Sequence, residues 1–121
     1  MTQDPRHQLG RLGEDLAAEH LSRLGYQIVE RNHRTRHGEL DLIALDGATL
    51  VFCEVKARRG TGPPFESLHP RKRKQVRRMA AAYLAETPHR PRAEELRFDA
   101  VGVVLGPDGR LVRLDHLEGA F

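Results

Sequence analysis

The chain has 121 residues, of which 39% are hydrophobic and 31% are charged, and its formal net charge is +3. This composition excludes a disordered chain and a membrane-spanning protein. The single cysteine, Cys53, excludes an internal disulfide and a zinc ribbon with four cysteine ligands. We therefore expect one cytoplasmic domain over residues 1–121, with no membrane partner and no secretion signal at its N-terminus.

The hydrophobic pattern predicts an α/β protein with the element order α-β-β-β-α-β-β. The predicted helices span residues 9–24 and 70–86, and the predicted strands span 26–30, 39–45, 49–57, 96–105 and 110–117. The apolar stripe of the second helix comprises Val76, Met79, Ala80 and Tyr83. This helix is long enough to cross between parallel strands, so we expect a mixed central sheet flanked by helices.

A tight turn is predicted between the second and third strands. Asp46-Gly47 is a signal for a two-residue hairpin loop, and such a loop would pair Leu45 with Ala48. Side chains alternate along a strand, so Leu40 and Leu42 are expected on the same apolar face.

The opposite face of this hairpin carries charged side chains. There Asp41 is the diagonal neighbour of Glu54, at a backbone separation of about 7–8 Å, and Lys56 shares the face. Glu39 and His37 are expected opposite Glu54 and Lys56, in supporting positions. Neighbouring carboxylates beside apolar residues repel each other, and Mg²⁺ or Mn²⁺ would remove the repulsion. The alternative is a structural ion pair between Glu54 and Lys56.

The first helix places one acid among small and apolar residues. The stripe with Glu14 also holds Gly10, Gly13, Ala17, Leu21 and Leu24. An acid on this stripe faces the sheet, so Glu14 is a candidate partner for the carboxylate face. The alternative is an acid favoured near the helix start by the helix dipole.

Basic residues crowd around the start of the second helix. They are Arg71, Lys72, Arg73, Lys74, Arg77 and Arg78, and Arg58 and Arg59 lie further upstream. The helix dipole disfavours cations at this end, whereas a bound polyanion would favour them. The cluster therefore predicts contact with nucleic acid. The alternative is a solvated charged surface.

Several spaced blocks also carry a family resemblance. They are Gly13-Glu14, Gly25-Tyr26, Arg31-Asn32, residues 38–44 (GELDLIA), residues 51–56 (VFCEVK) and Arg97-Phe98-Asp99. Together they resemble the YraN family of bacterial proteins, which is similar to archaeal Holliday-junction resolvases and belongs to the restriction-endonuclease-like PD-(D/E)XK superfamily. The resemblance extends over residues 9–104.

The resemblance implies a restriction-endonuclease-like fold and a DNA endonuclease activity. It implies that Asp41 and Glu54 bind Mg²⁺ or Mn²⁺, that Glu14 supports the metal and that Lys56 is catalytic. The expected substrate is branched or single-stranded DNA, for which a homodimer would be suited. Two alternatives remain open: a non-catalytic nucleic-acid-binding module, and an adaptor that binds a protein partner in recombination or repair.

Overall fold

The computed structural model describes residues 4–65 and 70–121. In this part of the chain, helices α1 (Pro5–Arg23) and α2 (Pro70–Glu86) cover a five-stranded sheet. The strands are β1 (Gln27–Thr35), β2 (Gly38–Asp46), β3 (Thr49–Arg59), β4 (Glu95–Leu105) and β5 (Leu111–Leu117). They lie side by side in chain order; β3 and β4 are parallel and the other neighbours antiparallel. The predicted element order and mixed sheet are confirmed.

Helix α1 begins four residues earlier than predicted. The Asp4 carboxylate accepts the backbone N–H of Arg6 at 2.9 Å, and Pro5 follows it at the first helical position. Both residues are typical helix starts. At the other end Leu24 is the C-cap and is 54% exposed. The prediction that Leu24 continues the buried stripe is wrong, because the chain leaves the helix at that residue.

The buried side of α1 lies close against β3. Gly13, Ala17 and Leu21 are buried there, as the stripe predicted. A Cβ atom added to Gly13 would lie 2.5 Å from the Cβ of Ala57, so only glycine allows this approach. The contact fixes the height of the helix above the sheet, and with it the position of Glu14.

Helix α2 covers the other face of the sheet. Its bounds match the prediction, and Val76, Met79, Ala80 and Tyr83 are all buried. They pack against Ile43, Leu50 and Phe52. None of the helices in the described residues is long and apolar enough to cross a membrane.

The turn between β2 and β3 lies one residue later than predicted. It occupies Gly47-Ala48, and Leu42 pairs with Cys53. Gly47 has φ 58° at the first central position, a conformation that glycine adopts readily and that type II′ turns need. The predicted pairing is therefore wrong by two residues. Because this shift is even, it does not by itself change the face on which a side chain lies.

The sheet opens between β2 and β3 beyond the pair Leu42 and Cys53. From there β2 stays paired with β1 to its first residue, and β3 stays paired with β4 to its last. The Val55 N–H donates at 2.8 Å to Oδ2 of Asp41 rather than to a carbonyl of β2. The Asp41 carboxylate thus replaces a backbone carbonyl of β2 as the hydrogen-bond acceptor at the end of the ladder.

Side chains of β2 do not alternate regularly across this opening. Leu42 and Ala44 pack in the core under α1, whereas Leu40 packs with Ile43 under α2. The expectation that Leu40 and Leu42 share a face is wrong. On β1, the residue between their pairing partners is Asn32, whose φ of 55° interrupts the regular strand geometry.

We expect Gly13→Ala to destabilise the protein and Gly10→Ala to stabilise it. The first adds a methyl group to the closest contact of α1, and overpacking of this kind costs about 1–3 kcal/mol. The second adds a methyl group where nothing lies within 4 Å, and alanine is favoured over glycine in a helix by about 1 kcal/mol. Urea unfolding of the two variants measures both changes. Equal effects would show that α1 does not approach β3 this closely.

Candidate metal centre

Three carboxylates meet near the opening of the sheet. Oxygen atoms of Glu14, Glu39 and Asp41 all lie within 4.8 Å of one another, and the three residues are half-buried. Glu14 comes from α1, and the other two come from alternate positions of β2. Sequence reasoning gave Glu39 only a supporting position. The signal for its inclusion was the Gly-Glu-x-Asp spacing, since residues two apart on a strand lie on the same side.

The electrostatics of this group favour a bound cation. Burial and the charges of Glu54 and Glu14 raise the pKa of Asp41 to about 7, although the Val55 N–H and Lys72 act in the opposite direction. Burial and the charge of Glu39 also raise the pKa of Glu14, against a hydrogen bond from Asn32. Ionisation of Glu14 and Asp41 is therefore costly without a positive charge beside them.

The donor set fits a hard divalent cation. Mg²⁺ and Mn²⁺ prefer carboxylate oxygens, and Mg²⁺ binds them at about 2.0–2.1 Å. Glu14, Glu39 and Asp41 offer three carboxylate oxygens, all within 4.8 Å of one another, as ligands for one ion. The group contains no nitrogen or sulfur donor, so it does not have the composition that structural zinc sites prefer.

Asp99 shows how the fold compensates a buried acid when no ion is needed. It is fully buried, and it accepts hydrogen bonds from Arg97, from Nε2 of His116 at 2.8 Å and from the Gly119 N–H at 3.0 Å. Burial alone would raise the pKa of Asp99, but these hydrogen bonds and the Arg97 charge lower it. Asp99 therefore belongs to the packing of β4 and β5, whereas Asp41 lies among other acids.

Glu54 is buried and engages two lysines. Its Oε1 lies 2.8 Å from Nζ of Lys72 and 3.5 Å from Nζ of Lys56. Its charge acts on Asp41, as the raised pKa of that residue shows. The group of oxygens within 4.8 Å nevertheless comprises Glu14, Glu39 and Asp41 without Glu54. Lys72, which the sequence placed in the nucleic-acid-binding cluster, is thus turned towards the acids.

Some of the predicted nucleic-acid-binding residues form contacts within the protein. Arg77 donates to the Phe121 carbonyl at 2.9 Å, and its guanidinium lies 4.7 Å from the centroid of the Phe98 ring. Arg58 and Arg59 donate to loop carbonyls at 3.0 and 3.4 Å. Arg58, Arg59 and Arg77 therefore have a structural role within the protein that does not depend on nucleic acid.

Other basic residues of α2 line a surface groove. Arg71, Lys74 and Arg78 surround a volume of about 210 Å³ together with His37. Arg73 is exposed on the same helix. His37 precedes β2, beyond the end of the β2–β3 ladder, so the expectation that it lies opposite Lys56 is wrong. It lies beside α2 instead.

Comparison with known proteins shows a family. A model of the Uncharacterised protein family UPF0102 matches residues 13–103, a span that includes the carboxylates above. The chain belongs to this family. UPF0102 is the YraN family, so that resemblance is confirmed.

Relatives match over all or nearly all of their length. The UPF0102 protein FRAAL5785 of Frankia alni is 50% identical, and the match covers 100% of both chains. The UPF0102 protein STH1475 of Symbiobacterium thermophilum is 47% identical over 94% of this chain and 96% of its own. A UPF0102 protein of Acidothermus cellulolyticus is 44% identical over 99% of this chain and 98% of its own.

We expect Asp41→Asn to stabilise the metal-free protein at pH 8. The pKa of Asp41 is about 7 in the folded chain against an ordinary value of 3.8, so the wild type loses stability as the pH rises through this interval. The amide oxygen of the variant still accepts the Val55 N–H, and the amide carries no charge. The difference between these two pKa values corresponds to roughly 4 kcal/mol, so the gain in unfolding free energy should approach this size at pH 8 and shrink towards pH 4.

Urea unfolding at several pH values measures this difference. The matched control is Asp15→Asn, since Asp15 is exposed on the same helix as Glu14 and pairs with Arg31 at 2.6 Å. Its effect should be small at every pH. A gain for Asp41→Asn that is the same at pH 4 and pH 8 would contradict the raised pKa.

Proposed function

We propose that this UPF0102 protein is a nuclease that hydrolyses DNA phosphodiester bonds with Mg²⁺ or Mn²⁺. The observation that carries the proposal is the convergence of Glu14, Glu39 and Asp41 at the opening of the sheet. Burial and the neighbouring acids raise the pKa of Asp41 to about 7. Such an arrangement lowers the stability of the metal-free protein. Binding of a divalent cation would remove the repulsion between the acids.

The residues of the centre have different chemical roles in this proposal. Glu14, Glu39 and Asp41 would hold the cation by their carboxylate oxygens. Glu54, whose charge acts on Asp41, would be a further ligand. The cation, when bound, supplies Lewis-acid polarisation of the phosphate and lowers the pKa of a coordinated water. The Lys56 side chain is 56% exposed and its Nζ lies 3.5 Å from Glu54, so its ammonium can reach a phosphoryl oxygen that arrives from solvent. It would stabilise the negative charge that develops there.

The groove on α2 supports a nucleic-acid substrate. Arg71, Lys74 and Arg78 line it, and His37 closes one side. Cations arranged along one helix suit successive phosphates of a nucleic-acid backbone. Branched or single-stranded DNA is the substrate we propose, and a two-fold dimer would present two such centres to a branched molecule.

We expect Lys56→Ala to reduce metal-dependent cleavage at least about a hundredfold with little change in DNA affinity. Glu14→Gln should reduce cleavage as well, because it removes one ligand of the cation. The measurement is cleavage of labelled linear, forked and four-way DNA with Mg²⁺ or Mn²⁺, and with the chelator EDTA as a blank.

Asp15→Asn is the control for Glu14→Gln, since it removes the same charge from the neighbouring residue of α1. It should keep wild-type activity, because Asp15 pairs with Arg31 and lies outside the group of three carboxylates. Equal cleavage by the wild type and Lys56→Ala would reject the nuclease proposal.

The second candidate is a non-catalytic nucleic-acid-binding protein. The ion pair between Lys72 and Glu54 favours it, because this ammonium already compensates one of the acids that the sequence assigned to the metal. Tight DNA binding by the wild type, with no cleavage under either metal, would decide for this candidate.

We expect the double variant Lys74→Ala and Arg78→Ala to bind DNA more weakly and with less salt dependence. For each phosphate that the variant no longer neutralises, the slope of log K against log salt should fall by roughly 0.9 on duplex DNA. Fluorescence anisotropy over a range of salt concentrations measures the slope. Arg110→Ala, on the exposed turn between β4 and β5, is the control and should leave the slope unchanged. An unaltered slope in the double variant would show that the groove does not contact phosphate.

A further inference from the structure

We propose that Lys72 is a positioning residue of this centre, whose ammonium holds the Glu54 carboxylate until a divalent cation competes for it. The inference rests on the metal site of the proposed function. It gives Lys72 a role apart from the basic groove, although both lie on α2. It also explains why Glu54 stands outside the group of three converging carboxylates.

The distances favour Lys72 over Lys56 as the partner of Glu54. The Nζ of Lys72 lies 2.8 Å from Oε1 of Glu54, against 3.5 Å for the Nζ of Lys56. The Lys72 side chain is 27% exposed, about half the 56% of Lys56, and the Glu54 side chain is only 7% exposed. The shorter and more buried ion pair is the stronger one. Of the two lysines, Lys72 therefore contributes more to the electrostatic stabilisation of the Glu54 carboxylate.

The position of Lys72 within α2 has an electrostatic cost. It lies in the first turn of the helix, where the backbone dipole disfavours a cation. The charges of the nearby acids offset this cost, and Lys72 lowers the pKa of Asp41. The same ammonium thus acts on two acids, Glu54 and Asp41, and any cation bound between them would meet its repulsion.

A chain of contacts holds Lys72 in place. Its Nζ donates at 3.4 Å to Oε1 of Gln75, whose Nε2 donates at 2.9 Å to the carbonyl of His37. A Cβ atom at Gly38 would lie 2.7 Å from that same Nε2, so the β1–β2 turn and α2 are closely packed. Release of Glu54 therefore requires rotation of the Lys72 side chain rather than displacement of the helix.

The test compares Mn²⁺ binding by the wild type, Lys72→Met, Lys72→Arg and Lys74→Met, measured by isothermal titration calorimetry. If Lys72 competes with the cation, Lys72→Met should bind Mn²⁺ roughly fivefold more tightly. Its metal-free form should also melt at a lower temperature, because the buried Glu54 loses the nearer of its two lysine partners. Lys72→Arg keeps the charge and should resemble the wild type. Lys74→Met removes an equal charge from the groove and should change the affinity less than about twofold.

The outcomes separate this inference from the proposed function. Circular dichroism first establishes that each variant is folded. An unchanged Mn²⁺ affinity in folded Lys72→Met, or an equal gain in Lys74→Met, would overturn the role of Lys72 and leave the nuclease proposal intact. Failure of the wild type and of Lys72→Met alike to bind Mn²⁺ would overturn the metal site, and both proposals with it.

Discussion

The hydrogen bond from the Val55 N–H to the Asp41 carboxylate is the contact around which the candidate centre is built. A backbone N–H inside a protein needs an acceptor, and here the ladder between β2 and β3 ends before it can provide one. Asp41 supplies the acceptor and is thereby held at the opening of the sheet. One oxygen of its carboxylate is committed to the backbone, which orients the group towards the other acids.

The surroundings of that carboxylate disfavour its charged form. Asp99 is fully buried, but an arginine, a histidine and a backbone N–H compensate its charge and lower its pKa. Asp41 has Glu14 and Glu54 as neighbours, and its pKa rises. The close contact of Gly13 with Ala57 and the buried apolar cores on both faces of the sheet stabilise the fold around this unfavourable group. Local conflicts within an otherwise consistent fold are expected at functional sites.

The basic side chains of α2 point in different directions. Lys72 turns inwards to Glu54, and Arg77 turns to the carbonyl of Phe121. Lys74 and Arg78 line the surface groove. Helix geometry separates these directions, since residues two apart point about 200° from each other around the axis. One helix can therefore contact the acidic centre and present cations to a partner.

Patterns in the amino-acid sequence were enough to predict the elements and to name most of the acids. Pro70 and the apolar stripe predicted α2 at its observed bounds, and the spaced blocks identified the family. Such features depend on caps, alternation and helical periodicity, which act between residues close along the chain. The sequence interpretation missed the start of α1 at Pro5, although its signal was present: the N-cap acid Asp4 followed by proline.

Which side chains meet was settled by the packing of the whole domain. Asp46-Gly47 and Gly47-Ala48 are both acceptable turns locally, and the pairing of the whole hairpin selected the second. Leu40 changes face where the sheet opens, Glu39 joins Glu14 across a gap in sequence, and Lys72 reaches Glu54 from a different element. These contacts join residues far apart in the chain, and their energies depend on burial and on neighbouring charges. Burial and the positions of neighbouring charges are defined only once the helices have packed on the sheet.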